Sequence, residues 1–331
     1  MKQIATIGSG NMGTAMSQLL AENRHLVHIW SIEQNVLKEI AQKHTNKKYL
    51  SGIKLHSNII AKPTDVECLK GADVVMLAVP SHVIMPVLKK IKNLLAPKMI
   101  IFSVTKGLNA KTLKTTAQEI IEFLPAHLKT RFVNMTGPAV ALDIARRTPT
   151  AVEIASLNAG SAKQIKGILQ NSYFKVNTTK DLAGAAFCAS LKNVYAVVLG
   201  LSQGLEYKLN TQAMLFTAAV QEMSAVLSKM RAKPGTAISL SGIGDLTVTG
   251  FNPKSRNVTY GRLASQKGAK TPAQLGMRQV AEGYFTAPLL ARLMKKKKIH
   301  APLIFLVNDI IKNKKNPKKE LHDFIEKLSF S

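Results

Sequence analysis

The strongest constraint on this chain sits at its start. An apolar run, residues 4–7 (IATI), leads directly into Gly8-Ser9-Gly10-Asn11-Met12-Gly13. Glycines at GxGxxG spacing are a weak signal alone, but between a strand and a helix each has a physical use. The first permits a tight turn, the second lets the backbone approach a pyrophosphate, and the third lets the helix pack on the strand. The stretch 14–22 reads as that helix, whose N-terminus offers unpaired N–H groups and a positive dipole end to phosphates. Gly8, Ser9, Gly10, Asn11, Met12 and Gly13 are therefore candidates for holding a dinucleotide.

The rest of the first half keeps the same rhythm. Residues 27–30 read as a second strand. The run 73–79 (DVVMLAV) ends at Pro80, 99–104 (MIIFSV) runs out at Lys106 and Gly107, and 131–135 ends at Gly137 and Pro138. Near-continuous apolar runs suit strands buried on both faces of a parallel sheet, with amphipathic stretches between them as crossovers. Residues 151–155 and 174–177 read as further strands. From 181 the texture changes to long stretches rich in Ala, Leu, Val and Met at 185–201 and 212–230, then 287–295, 302–312 and 319–328. The expected fold is α/β: a Rossmann-type doubly wound sheet over 1–180, followed by an all-α domain over 181–331.

Composition excludes several classes. Two cysteines, Cys68 and Cys188, make a disulfide framework unexpected, and eight scattered histidines form no cluster with metal-ligand spacing, so no metal is expected. The first residues run straight into a strand, without an apolar leader. The most apolar region, 182–205, is interrupted by Lys192 and Asn193, which argues against a lipid span. A cytoplasmic protein is expected. The net charge of +27, from 46 Lys and Arg against 19 Asp and Glu, is spread along the chain. No aromatic-interleaved basic motif accompanies it, so no specific nucleic-acid partner is expected. Such a field does suit phosphorylated substrates.

An acid at the tip of the second strand would bind a ribose 2′-OH and favour NAD, whereas a nearby Arg would favour NADP. Ser31 is neither, and Glu33 comes slightly late for the ribose acid. The choice stays open, with the basic composition leaning towards NADP. Ligands in open parallel sheets bind outside the carboxyl ends of the strands. Pro80-Ser81, Lys106-Gly107 and Gly137-Pro138 are three such ends and read together as a site rim.

In the second half, Lys192-Asn193 interrupts an apolar helix, so Lys192 either snorkels to water or is held by partners in a cleft. Ser241-Gly242-Ile243-Gly244-Asp245-Leu246 reads as a carboxylate in a tight glycine turn. Ser255-Arg256-Asn257 reads as a helix N-terminus whose Arg either lies at the surface or binds a phosphate.

These motifs, in this order, resemble the bacterial-type NAD(P)-dependent glycerol-3-phosphate dehydrogenases. The matching segments are Gly8–Gly13, Asn46-Lys47-Lys48-Tyr49-Leu50, Ala78-Val79-Pro80-Ser81, Thr105-Lys106-Gly107, Gly137-Pro138, Leu191-Lys192-Asn193, Gly242–Leu246, Ser255–Asn257 and Val280-Ala281-Glu282-Gly283. They run through most of the chain. The resemblance implies interconversion of dihydroxyacetone phosphate and sn-glycerol 3-phosphate with NAD or NADP, supplying phospholipid synthesis, and is compatible with a homodimer. It makes Lys192 the acid/base residue, with Asp245 and Lys106 beside it. It assigns the substrate to Lys106, Gly137, Lys192, Asp245, Ser255, Arg256 and Asn257. It assigns the cofactor to the Gly8–Gly13 turn with Pro80, Lys106, Ala141, Arg256, Val280 and Glu282. The sequence departs from the family at Ala139, where a hydroxyl is usual, at Asn11-Met12, and in lacking a basic pair after the second strand. A 3-hydroxyacid dehydrogenase of similar architecture, and a weak relative kept as a binding protein, are the competing readings.

Overall fold

The computed structural model describes residues 1–330. They form two compact units. The first comprises Met1–Lys106 and Thr116–Ala183; the second comprises Gly107–Thr115 and the chain from Gly184 onward.

In the first unit, strands β1 (Gln3–Ile7), β2 (Leu26–Trp30), β3 (Ile59–Ala61), β4 (Val74–Leu77), β5 (Ile100–Ser103), β6 (Phe132–Thr136), β7 (Thr150–Ala155) and β8 (Phe174–Thr179) make one sheet. The order is β3-β2-β1-β4-β5-β6-β7-β8. Every residue from Ile4 to Ile7 is fully buried, as a strand covered by helices on both faces must be. Thr6 is tolerated there because its hydroxyl pairs with that of Ser17 on the covering helix at 2.9 Å. The order reverses between β1 and β4, which places the switch point of the sheet directly after the glycine turn.

In the sheet, two features depart from the sequence reading. β3 was not anticipated; it is three residues long and only Ile59 is buried, so it leaves no apolar run. β7 pairs with β6 antiparallel, and β8 then follows β7 in parallel. The link between β6 and β7 holds only the five-residue helix Ala141–Ala145, which packs on the helix Asn11–Glu22. It does not serve as a crossover, so the chain returns beside β6 in the opposite sense.

The second unit is helical. Its main helices are Leu182–Gly204, Leu209–Lys229, Arg256–Lys267, Glu282–Lys297, Pro302–Lys312 and Pro317–Lys327. Among the described residues, Leu182–Gly204 is the one helix long and apolar enough to cross a membrane, and 89% of its most apolar stretch is buried inside the protein. It is the axis of the unit's core, with Leu191, Val194, Tyr195 and Leu199 fully covered. Two neighbours approach it backbone to backbone. A Cβ on Gly261 would lie 2.3 Å from the Val197 carbonyl oxygen, and one on Gly283 would lie 2.4 Å from that of Asn193. Only glycine fits either crossing. The Gly242–Gly244 segment, expected as a tight turn, is instead a π-helical turn, Leu240–Gly244, running straight into the helix Asp245–Gly250.

Candidate functional site

The glycine turn links β1 to the helix Asn11–Glu22. Gly8 has φ of +113°, and a Cβ there would meet the Ala78 carbonyl oxygen at 2.7 Å, so the turn is pressed against the end of β4. A Cβ on Gly13 would fall 2.0 Å from the Gly8 oxygen, which is why the helix can follow the turn so closely. Gly10, by contrast, has nothing within 4 Å of its Cβ position. Its backbone is open to an approaching group, and the helix that starts after it has no side-chain cap. The first N–H groups are thus left for a ligand or water. Ser9 is 1% exposed and its hydroxyl lacks a hydrogen-bond partner within the protein. Asn46, fully buried, braces the turn by donating to the Ser9 carbonyl and the Thr14 hydroxyl, both at 2.9 Å.

The three strand-end turns lie beside one another at the carboxyl ends of β4, β5 and β6. The Thr105 hydroxyl donates to the Val79 carbonyl at 2.8 Å, fixing the second turn to the first. The half-buried Lys106 donates from Nζ to the Gly137 carbonyl at 3.3 Å, fixing the second to the third. Gly137 accommodates a φ of +107°. Pro80 is exposed ahead of the helix Ser81–Ile91. Ala139 and Ala141 pack, partly buried, against the core of the unit.

Within the second unit, Lys192 is 9% exposed and Asp245 1%. The Lys192 ammonium donates to Asp245 Oδ1 at 2.6 Å and to Thr249 Oγ1 at 2.8 Å. The Thr249 hydroxyl in turn donates to the Asp245 backbone carbonyl at 2.7 Å. A lysine and an aspartate at this depth survive only as a hydrogen-bonded pair, because either charge alone would be heavily penalised. The sequence left Lys192 balanced between surface and cleft, and the structure places it among partners.

Asn257 Nδ2 donates to Asn193 Oδ1 at 2.9 Å, and Asn257 Oδ1 accepts the Gly283 N–H at 2.8 Å. The two glycine crossings bring these three helices close enough for that clamp. Ser255 caps the helix Arg256–Lys267 by accepting from the Val258 N–H. Arg256, Val280 and Glu282 are exposed. Thr249 was not singled out from the sequence. Its signal was present, since Asp245 and Thr249 are four apart and share one helix face.

At the tip of β2, Glu33 immediately precedes the helix Gln34–Lys43. The Tyr49 hydroxyl donates to Oε1 at 2.5 Å, and the Lys48 ammonium pairs with Oε2. These contacts hold the Glu33 carboxyl below the ordinary carboxylate range, Lys48 contributing most. Among the described residues, no three His, Cys, Asp or Glu side chains gather as a metal site.

Residues 3–162 match the family model of the NAD-dependent glycerol-3-phosphate dehydrogenase N-terminus, and residues 181–322 match that of its C-terminus. Glycerol-3-phosphate dehydrogenase (NAD(P)+) of Bacillus velezensis is 34% identical over 314 residues, spanning 95% of this chain and 91% of that protein. The enzyme of the same name from Staphylococcus aureus strain JH9 is 32% identical over 327 residues, spanning 99% and 98%. The crystal structure of glycerol-3-phosphate dehydrogenase from Coxiella burnetii superposes with a TM-score of 0.88 at 29% identity, covering 98% of this chain and 99% of that one. With matches of this extent across both units, the chain belongs to the NAD-dependent glycerol-3-phosphate dehydrogenase family.

Proposed function

We propose that this protein interconverts dihydroxyacetone phosphate and sn-glycerol 3-phosphate with NAD(H) or NADP(H), and so supplies glycerol phosphate for lipid synthesis in the cytoplasm. The observation that carries the reading is the buried Lys192–Asp245–Thr249 cluster in a chain of this family. The first unit fits a dinucleotide: Gly10 is open to a pyrophosphate, the helix after it is uncapped, and the Ser9 hydroxyl is buried without a protein partner. When bound, the reduced nicotinamide supplies the hydride that goes to C2 of the ketone. Asn11, Met12, Pro80, Ala141, Val280 and Glu282 are assigned to the same cofactor by the family motifs.

As C2 is reduced, its carbonyl oxygen gains negative charge and needs a proton. The Lys192 ammonium stabilises that oxygen and gives it the proton. In the reverse direction the same amine takes the proton from the C2 hydroxyl. Asp245, with Thr249, fixes where the Lys192 head points. Lys106 adds positive field at the substrate, beside the Gly137 turn that it already holds. Arg256 binds the phosphate in a charge-assisted fork, flanked by Ser255 and Asn257. Pairing into a homodimer belongs to the same proposal and would be read by light scattering.

The test is oxidation of NADH and of NADPH followed with dihydroxyacetone phosphate and with unphosphorylated dihydroxyacetone. Turnover of the phosphorylated ketone alone supports the proposal. Equal turnover of both removes the phosphate from it and returns the 3-hydroxyacid type of reading. Arg256→Ala should raise KM for the phosphorylated ketone at least about tenfold. An unchanged KM would mean that the phosphate is held elsewhere.

A further inference from the structure

The reaction makes no use of the polar cluster at the tip of β2, yet that cluster is tied to the glycine turn. Gly8 donates its N–H to the Trp30 carbonyl at 2.8 Å, so the turn and the strand tip are direct neighbours. The segment 46–49 bridges the two a second time. Asn46 holds the Ser9 carbonyl, and its Oδ1 accepts the Tyr49 N–H at 3.3 Å, while Lys48 and Tyr49 hold Glu33. A dinucleotide whose pyrophosphate lies on the glycine turn extends its adenosine ribose towards the end of the second strand. The two cofactors differ only there: NAD carries a 2′-hydroxyl and NADP a 2′-phosphate dianion.

The groups at this tip do not suit a dianion. Ser31 is 7% exposed and its hydroxyl is used locally, accepting the Glu33 N–H at 3.2 Å. Ile32 is 82% exposed and offers nothing polar. Two cations beside the end of β2 are already engaged. Lys48 is paired with Glu33. Lys90 lies over the Trp30 ring and is paired with Asp65 at 2.6 Å. The Glu33 side chain keeps 28% of its surface exposed, so its charge still faces an arriving ligand.

We infer that Glu33 sets the cofactor preference of this protein to NAD(H), by neutralising Lys48 and standing as a fixed negative charge where a 2′-phosphate would go. Like charges brought together at an interface are strongly unfavourable, whereas a ribose hydroxyl can donate to a carboxylate. The inference rests on the dinucleotide reading of the glycine turn. It reverses the lean towards NADP that overall composition gave, because a net charge of +27 says nothing about the sign at one strand tip.

The single tryptophan, Trp30, is 8% exposed at the end of β2 and provides a local fluorescence probe. Binding of NADH and of NADPH is titrated by Trp30 quenching, without substrate, on the full chain, Glu33→Gln and Glu33→Gln/Lys48→Ala. The parent protein should bind NADH at least about tenfold more tightly than NADPH, and Glu33→Gln should cut that ratio at least about tenfold. The gain should be smaller in the double variant, since the freed ammonium supplies part of it and relief from the Glu33 charge supplies the rest. A parent protein that prefers NADPH, or a ratio that Glu33→Gln leaves unchanged, overturns the inference. Retained NADH binding by Glu33→Gln shows that the variant is folded. Failure of either nucleotide to bind the parent protein would instead defeat the dinucleotide reading itself.

Discussion

Lys192→Met should lower kcat at least about 100-fold while also destabilising the second unit, and the two losses should be separable. The kinetic loss follows from removing the proton donor. The stability loss has a different source. Asp245 is 1% exposed and its partner ammonium sits 2.6 Å away. Deleting the ammonium takes the 2.6 Å charge partner from a buried carboxylate, and breaking a buried pair in this way costs about 3–5 kcal/mol. Adding Asp245→Asn removes the other buried charge of the pair, so Lys192→Met/Asp245→Asn should recover most of the denaturant midpoint lost by the single variant. It should recover none of the rate. Urea unfolding and steady-state kinetics on the single and double variants decide the matter. A double variant as active as the parent would strip Lys192 of its role; a single variant as stable as the parent would contradict the buried pair.

That pair marks where the sequence stopped being legible. Strands β1, β2, β4, β5 and β6 could be read because burial on both faces leaves a run of apolar residues, and such runs do not depend on distant partners. The same runs are silent about direction, so the antiparallel return of β7 was not visible. Lys192 was ambiguous for a related reason. Whether it snorkels or pairs depends on Asp245 and Thr249, which lie more than fifty positions downstream. The helix crossings at Gly261 and Gly283 make Asn257 a clamp between helices, a structural part that stands beside the ligand role the resemblance implies and that no local pattern announces. The return of Gly107–Thr115 to the helical unit is a long-range packing choice without a local signature. Glu33 shows the finer limit. Its position in the chain looked late for a ribose acid, and only the folded path of 46–49 reveals what its carboxylate meets.

A second large effect lies away from the candidate site: stability should fall as pH rises from about 4.5 to about 7, and Glu222 should be the cause. Glu222 lies on the helix Leu209–Lys229 and is 7% exposed. Its Oε2 accepts the Leu303 N–H at 2.6 Å and its Oε1 the Ile304 N–H at 3.2 Å, so it caps the helix Pro302–Lys312 from a neighbouring element. Two N–H donors and a helix N-terminus favour the charged form. Burial among apolar residues opposes it and wins, pushing the carboxyl up from 4.5 to about 7. The folded protein therefore holds this proton over a pH range in which the unfolded chain has released it. The stabilisation is complete below the unfolded value and is lost as pH climbs through the folded one. At about 1.4 kcal/mol for each pH unit, the gap is worth about 3 kcal/mol. His25 and His28, both lowered mainly by burial, work in the opposite sense, losing stability as the solution is acidified. A raw pH profile would therefore mix these contributions, and the difference from Glu222→Gln isolates one. Glutamine keeps the shape and one acceptor, so it should cost about 1 kcal/mol at pH 5 for the lost cap bond. It cannot ionise, so by pH 8 it should be the more stable protein. Urea midpoints measured for both proteins from pH 5 to pH 8 should cross; profiles that stay parallel would show that the Glu222 carboxyl titrates in the fold as it does in water.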